Sequence, residues 1–194
     1  MSRLGYVLVT LLVAELFTTL FVGVALLAPR PRLIWNASAS APIGLYRLTA
    51  TAHPATGDLV AIKLPHALAR YMADRNYLAI GVPLLKHVAA RPGARVCRTG
   101  PRVTVDGRLT ATALPRDSHG RPLPVWHGCH IVGGDQLFLL NDTPDSMDAR
   151  YFGPIPAAGL LGRATPVLTR DAPDKPLHWR GLGGSAASTP SKGH

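Results

Sequence analysis

The chain is poor in cysteine, with only Cys97 and Cys129 in 194 residues, too few for a disulfide-built scaffold. It has no C-x₂₋₄-C or H-x₃₋₅-H pair of the kind structural zinc requires, so "WHGCH" (Trp126 to His130) with Cys97 is a weaker zinc set than a disulfide pair. It also lacks the G-x-S-x-G elbow, which disfavours an α/β-hydrolase. Its basic residues form no block, which argues against nucleic acid as a partner despite a net charge of +10. Lysine is scarce as well: of 21 basic residues, only Lys63, Lys86, Lys175 and Lys192 are lysines. No internal repeat is visible.

What the chain does have begins with one long apolar run. "LGYVLVTLLVAELFTTLFVGVALLA", Leu4 to Ala28, carries a single charge at Glu15 and is longer than the ~20 residues that span a bilayer. A cleaved signal peptide has a shorter apolar region, ~7 to 15 residues, and Pro29 follows the most obvious cut after Ala28. The expectation is a retained transmembrane anchor over residues 1–29, followed by the stiff exit "APRPR". Arg3 stands alone before the span while Arg30 and Arg32 follow it. Charge counting by itself therefore turns the following domain toward the cytoplasm.

The remainder suits one domain over residues 30–170 and a tail over 171–194, expected to be flexible because it is rich in Pro, Gly and Ser. "GDLVAIKL" (Gly57 to Leu64) predicts a strand, and "HALARYMADR" (His66 to Arg75) a short helix, with Leu68, Tyr71 and Met72 at helical spacing. "LLKHVAARPG" (Leu84 to Gly93) predicts a strand ended by a turn. "RVTVDGRLTA" (Arg102 to Ala111) predicts a hairpin with Asp106-Gly107 at its tip. An irregular excursion follows over Arg116 to Gly128, then strands over Gln136 to Leu140 and Leu160 to Leu168. The fold class is mainly β: an N-terminal transmembrane helix, then an antiparallel β domain with one short helix. In an oxidising compartment Cys97 and Cys129 would suit one disulfide, contributing about 3 to 4 kcal/mol by loop entropy.

A serine nucleophile without an elbow can use lysine as its base, provided burial keeps the amine neutral. Lys86 meets that condition: alternation puts Leu84, Lys86, Val88 and Ala90 on one face and Leu85, His87, Ala89 and Arg91 on the other. His87 is thereby turned away from Lys86, and His119 falls in the excursion. Lys63 is the rival base, at a strand end beside Pro65 where its head could reach water. The candidate serines lie in "WNASASAPIGLYRL" (Trp35 to Leu48), which sets Ser38 and Ser40 two residues apart ahead of Pro42 and Gly44.

"NASASAPIGLY" resembles the nucleophile box of the TraF-type conjugative-transfer peptidases, which belong with the type I signal peptidases among the serine-lysine proteases. "LLKHVAARPG" resembles that family's lysine strand, "VTVDGR" its following hairpin, and "DSMDARYFGPI" its closing motif, so the likeness runs from Trp35 to Leu168. Ordinary signal peptidases carry S-M-x-P-T where this chain has S-A-P-I-G, which favours the conjugative branch. The departures are Ala149, where the family often has serine, and "LND" in place of "GDN".

The resemblance implies a serine endopeptidase that needs no cofactor. Ser40 matches the nucleophile, Lys86 the base, and Ser38 a hydroxyl that holds the oxyanion together with the Ser40 N–H. Ser146 matches a hydroxyl that orients the lysine, while Asp148 and Arg150 match a structural ion pair. Pro42 and Gly44 are expected to fix the turn that exposes Ser40. The implied partners are a pilin or other membrane-associated preprotein and the bacterial inner membrane. The implied side is the periplasm, supported by the cysteine pair against the charge count. A self-cleaving repressor of the LexA type would have a DNA-binding module where this chain has its apolar run. A binding protein that kept the fold without catalysis would have no need of Ser40 and Lys86. A general leader peptidase acting on secreted preproteins is the alternative reading.

Overall fold

With no proline and no charge other than Glu15 after its first residue, the apolar run forms helix α1 (Arg3–Leu27). The Thr10 and Thr18 hydroxyls donate back to the Tyr6 and Ala14 carbonyls at 2.9 Å each, so their polar groups are satisfied within the helix, as a lipid environment demands. By length and composition α1 can cross a membrane. The computed structural model describes residues 2–27 and 32–182, and the chain divides into two units, Met1–Pro31 and Arg32–His194. The proline-broken exit at 28–31 lies outside the described residues.

The second unit is built of strands β1 (Leu33–Asn36), β2 (Ile43–Thr49), β3 (Leu59–Ile62), then helix α2 (His66–Asp74) and β4 (Leu84–Ala90). After these come β5 (Arg95–Thr99), β6 (Arg102–Val105), β7 (Arg108–Thr112), β8 (Gly128–Ile131) and β9 (Gln136–Leu140). A single turn α3 (Ala149–Phe152), β10 (Ile155–Pro156), β11 (Leu160–Arg170) and β12 (His178–Trp179) complete it. An eight-stranded sheet runs β1-β2-β11-β3-β4-β9-β10, with β12 also on β11, and a four-stranded sheet runs β7-β6-β5-β8. Every pairing is antiparallel. The expected class, mainly β with an apolar N-terminal helix, is the observed one.

β4 is the interior strand that matters for the site. It pairs with β3 at Val60↔Lys86 and with β9 at Val88↔Leu139. Flanked on both sides, it buries Leu84, Lys86, Val88 and Ala90 on one face. Val60, Ile62, Met72, Val88, Leu137 and Leu139 form the adjoining core.

Several elements depart from the sequence expectation. β2 lies in a stretch to which the sequence reading gave no strand, and Gly44, expected in the serine turn, belongs to this strand. It has φ +145°, and a Cβ there would stand 2.1 Å from the Leu168 carbonyl oxygen of β11. Glycine is thus required for the close approach of two strands. β5 and β8 were also unforeseen, since neither shows a clean alternation of apolar residues. Of the tail expected to be flexible, 183–194 lie outside the described residues. In the part before them, β12 pairs Leu168↔Trp179, and Arg180 Nη2 donates to both carboxylate oxygens of Asp171 at 3.0 and 3.1 Å.

Candidate active site

The loop between β1 and β2 is organised by Asn36, the last residue of β1. Its Nδ2 donates to the carbonyls of Ser38, Ala41 and Pro42 at 2.8, 3.1 and 3.1 Å, and its Oδ1 accepts from the Ser38 N–H at 3.1 Å. One buried amide therefore ties both arms of the loop together and leaves Ser38 exposed and Ser40 half-buried. The Ser38 and Ser40 hydroxyl oxygens are 3.1 Å apart, and the Ser40 N–H donates to Ser38 Oγ at 3.4 Å.

β4 brings Lys86 beneath that loop. Its side chain is 2% exposed, yet Nζ lies 3.2 Å from Ser40 Oγ and 2.5 Å from Ser146 Oγ. Burial brings its pKa down from 10.5 to about 8; Asp148 and Asp145 pull it back up and Arg150 adds to the lowering. At that value a workable fraction of the amine is neutral near pH 7, at hydrogen-bond distance from a serine hydroxyl. General-base activation of a nucleophile needs such an arrangement. Lys63 is exposed, past the end of β3, and its N–H donates to the Gly159 carbonyl at 2.8 Å. Of the two lysines, Lys86 is the one whose amine reaches Ser40.

The loop from β9 to α3 supplies the third side. Asp148, fully buried, caps α3 by accepting from the Arg150 N–H at 3.1 Å. Its carboxylate also takes the Arg150 Nε at 2.8 Å and the Asn141 N–H at 3.0 Å. Arg150 donates in turn to the carbonyls of Asn141 and Pro144 at 2.5 and 3.1 Å. A buried pair with its remaining donors and acceptors matched in this way avoids the cost of an isolated buried charge. An open cleft runs from this cluster past Met72, Tyr77 and Ile80.

The signal peptidase, peptidase S26, family model matches residues 3–169. A probable conjugal transfer protein TraF of Sinorhizobium fredii is 44% identical over 144 residues, covering 69% of this chain and 76% of that protein. The conjugal transfer protein TraF of Agrobacterium fabrum is 40% identical over 146 residues, covering 70% and 82%. The chain belongs to the signal peptidase S26 family. It is accordingly a peptidase. A signal peptidase I crystal structure from Enterococcus faecalis aligns at TM-score 0.36 and 19% identity, covering 59% of this chain and 98% of that one.

In this S26 chain the fold gathers Ser38, Ser40, Lys86 and Ser146 at one point, with Asp148 and Arg150 directly behind. Cys97 and Cys129 are elsewhere, on facing positions of β5 and β8, joined in a disulfide with Cα atoms 4.0 Å apart. With both sulfurs engaged, the zinc grouping with His127 and His130 loses its thiolates; His130 stacks against Trp126 at 5.5 Å instead. His119 is exposed on the cleft wall. His87 points away from Lys86, as alternation requires, but its Nδ1 comes within 3.2 Å of Asn141 Oδ1.

Two residues escaped the sequence reading. Asn36 stands inside the quoted serine box, and an asparagine just before a serine-rich turn is the signal that could have flagged it. Asn141, whose Nδ2 donates to the Ser40 carbonyl at 2.7 Å, is 101 residues away in sequence. It was visible only as the middle of the departing "LND".

Proposed function

We propose that this peptidase is a membrane-anchored serine-lysine endopeptidase that processes a conjugative pilin precursor on the periplasmic face of a bacterial inner membrane. The observation that carries this reading is the 3.2 Å contact between Ser40 Oγ and a buried lysine amine with pKa near 8.

In the mechanism, the Ser40 hydroxyl gives its proton to neutral Lys86 Nζ as Oγ bonds to the scissile carbonyl carbon. The oxyanion accepts from the Ser40 N–H and the Ser38 hydroxyl. These groups are 3.4 Å apart, close enough for one oxygen to lie within reach of both. Ser146 holds the amine toward Ser40. As the C–N bond breaks, Lys86 returns the proton to the leaving amine and an acyl-enzyme remains. Water, or the amino terminus of the same pilin, then attacks the acyl carbon and Ser40 recovers its proton. The second route gives a cyclic subunit.

The conjugal transfer names of its relatives support the pilin substrate. Their family's signal peptidase description favours the other reading, a leader peptidase acting on secreted preproteins. The disulfide supports an oxidising compartment, against Arg30 and Arg32 just after the span. A C-terminal reporter fusion active only in the cytoplasm would refute the periplasmic placement.

The deciding experiment is the intact mass of a pilin precursor co-expressed with this protein or with its Ser40→Ala variant. Ser40-dependent loss of a terminal peptide supports the reading, and a further missing water identifies cyclisation. An unchanged pilin beside a trimmed secretory precursor selects the leader peptidase.

A further inference from the structure

Asn141 is the first residue after β9 and is 3% exposed. Its Oδ1 accepts the backbone N–H of His87 at 3.2 Å. Its Nδ2 donates to the carbonyls of Ser40 at 2.7 Å and Leu85 at 3.2 Å, with Ser40 Oγ 3.3 Å away. The chemistry of these partners fixes which way the amide faces: a backbone N–H can only donate, and a carbonyl can only accept. A flipped amide would set like against like at all three backbone contacts.

Leu85 and His87 flank Lys86. One side chain thus grips the lysine strand immediately before and after the base and, with its other proton, grips the carbonyl of the nucleophile itself. The backbone of Asn141 is pinned in turn by Asp148, which accepts from its N–H, and by Arg150, which donates to its carbonyl. The ion pair therefore reaches Ser40 through Asn141. His87 Nδ1 completes the set by facing Oδ1 from the other side.

We infer that Asn141 is a positioning residue that sets the distance and register between Ser40 and Lys86. The inference rests on the serine-lysine reading above. A carboxylate of the same volume can still accept from His87, but when ionised it has no proton for the Ser40 or Leu85 carbonyls. The two loops then lose their shared clamp, and a displacement on the scale of 1 Å costs ~10²-fold in rate.

The test is the rate at which a penem β-lactam, a small acylating probe, acylates Ser40 in the full chain in detergent micelles, followed by intact mass. Asn141→Ala and Asn141→Asp are each expected to slow acylation by ~10²-fold while circular dichroism and melting curves show them folded at the assay temperature. Val96→Ala, a core truncation in the other sheet, is the control, with a lowered melting temperature and an unslowed acylation. Asn141→Asp also raises the pH midpoint of acylation, because an added carboxylate near Lys86 favours its charged form. A residue that only fills space leaves the plateau rate unchanged in this isosteric change, whereas the added charge moves the midpoint in either case. Should Asn141→Ala unfold, Asn141→Asp carries the test alone. Acylation within about threefold of wild type in a folded variant overturns the inference. If the wild type is not acylated at Ser40, or Lys86→Ala is acylated as fast, the serine-lysine reading fails instead.

Discussion

Lys86 Nζ lies nearer to Ser146 Oγ, at 2.5 Å, than to Ser40 Oγ, at 3.2 Å. The amine is therefore held from behind by one hydroxyl and offered forward to the other. Removing the rear partner separates two effects. In Ser146→Ala the ammonium loses an acceptor, so the Lys86 pKa falls further and the pH midpoint of activity moves down. The plateau rate also falls, by about 10- to 10²-fold, because nothing aims the amine. A pH-rate profile of this variant beside wild type reads both at once.

Lys86 should also govern the pH dependence of the wild-type enzyme. Its pKa is lowered to about 8 and, on the proposed mechanism, the neutral form accepts the proton, so activity is expected to rise with pH through about 8 and level off above it. The folded pKa lies below the unfolded 10.5, so the unfolded chain holds the proton more tightly and the lysine costs stability at neutral pH. That cost shrinks as pH rises from about 8 to 10.5. Lys86→Met should therefore abolish processing while stabilising the fold at pH 7, by on the order of 2 to 3 kcal/mol, as urea denaturation at pH 7 and pH 10 would reveal.

On the proposed mechanism Ser38→Ala removes one of the two oxyanion donors and leaves the amine contact intact. A loss of ~10²–10³ in kcat with little change in KM is expected. Steady-state kinetics on a processed precursor peptide measure it, and an unchanged kcat would move the oxyanion elsewhere.

Reducing the disulfide, or replacing both cysteines with serine, should cost about 3 to 4 kcal/mol by the loop-entropy account. The bond joins β5 to β8, away from Ser40, so folded protein should keep its turnover. Denaturation midpoints with and without reductant, paired with activity assays, test both halves.

The sequence made its local signals legible. The continuous apolar run of α1, the Asp106-Gly107 hairpin of β6 and β7, and the alternation that buries Lys86 on β4 each depend on neighbours a few residues away. β2 was hidden because its Gly44 reads as a turn residue until β11 is seen pressed against it. β5 was hidden because its buried positions include Arg98, a residue that seldom marks a core face. The serine and lysine boxes could be placed by pattern, whereas Asn141 takes its meaning from contacts with residues 40, 85 and 87. No window along the chain contains all of those together.

Arg98, on β5 of the four-stranded sheet, donates to the Arg150 carbonyl at 2.7 Å, and Arg150 donates to the Asn141 carbonyl at the end of β9 in the other sheet. Both guanidinium groups belong to residues no more than 4% exposed, so separating the sheets breaks buried, charge-assisted hydrogen bonds. Opening of the domain is then expected to be a single cooperative event. Backbone amides of β5 and β9 should exchange with deuterium at one common, slow rate, and the catalytic box melts only when the whole domain does.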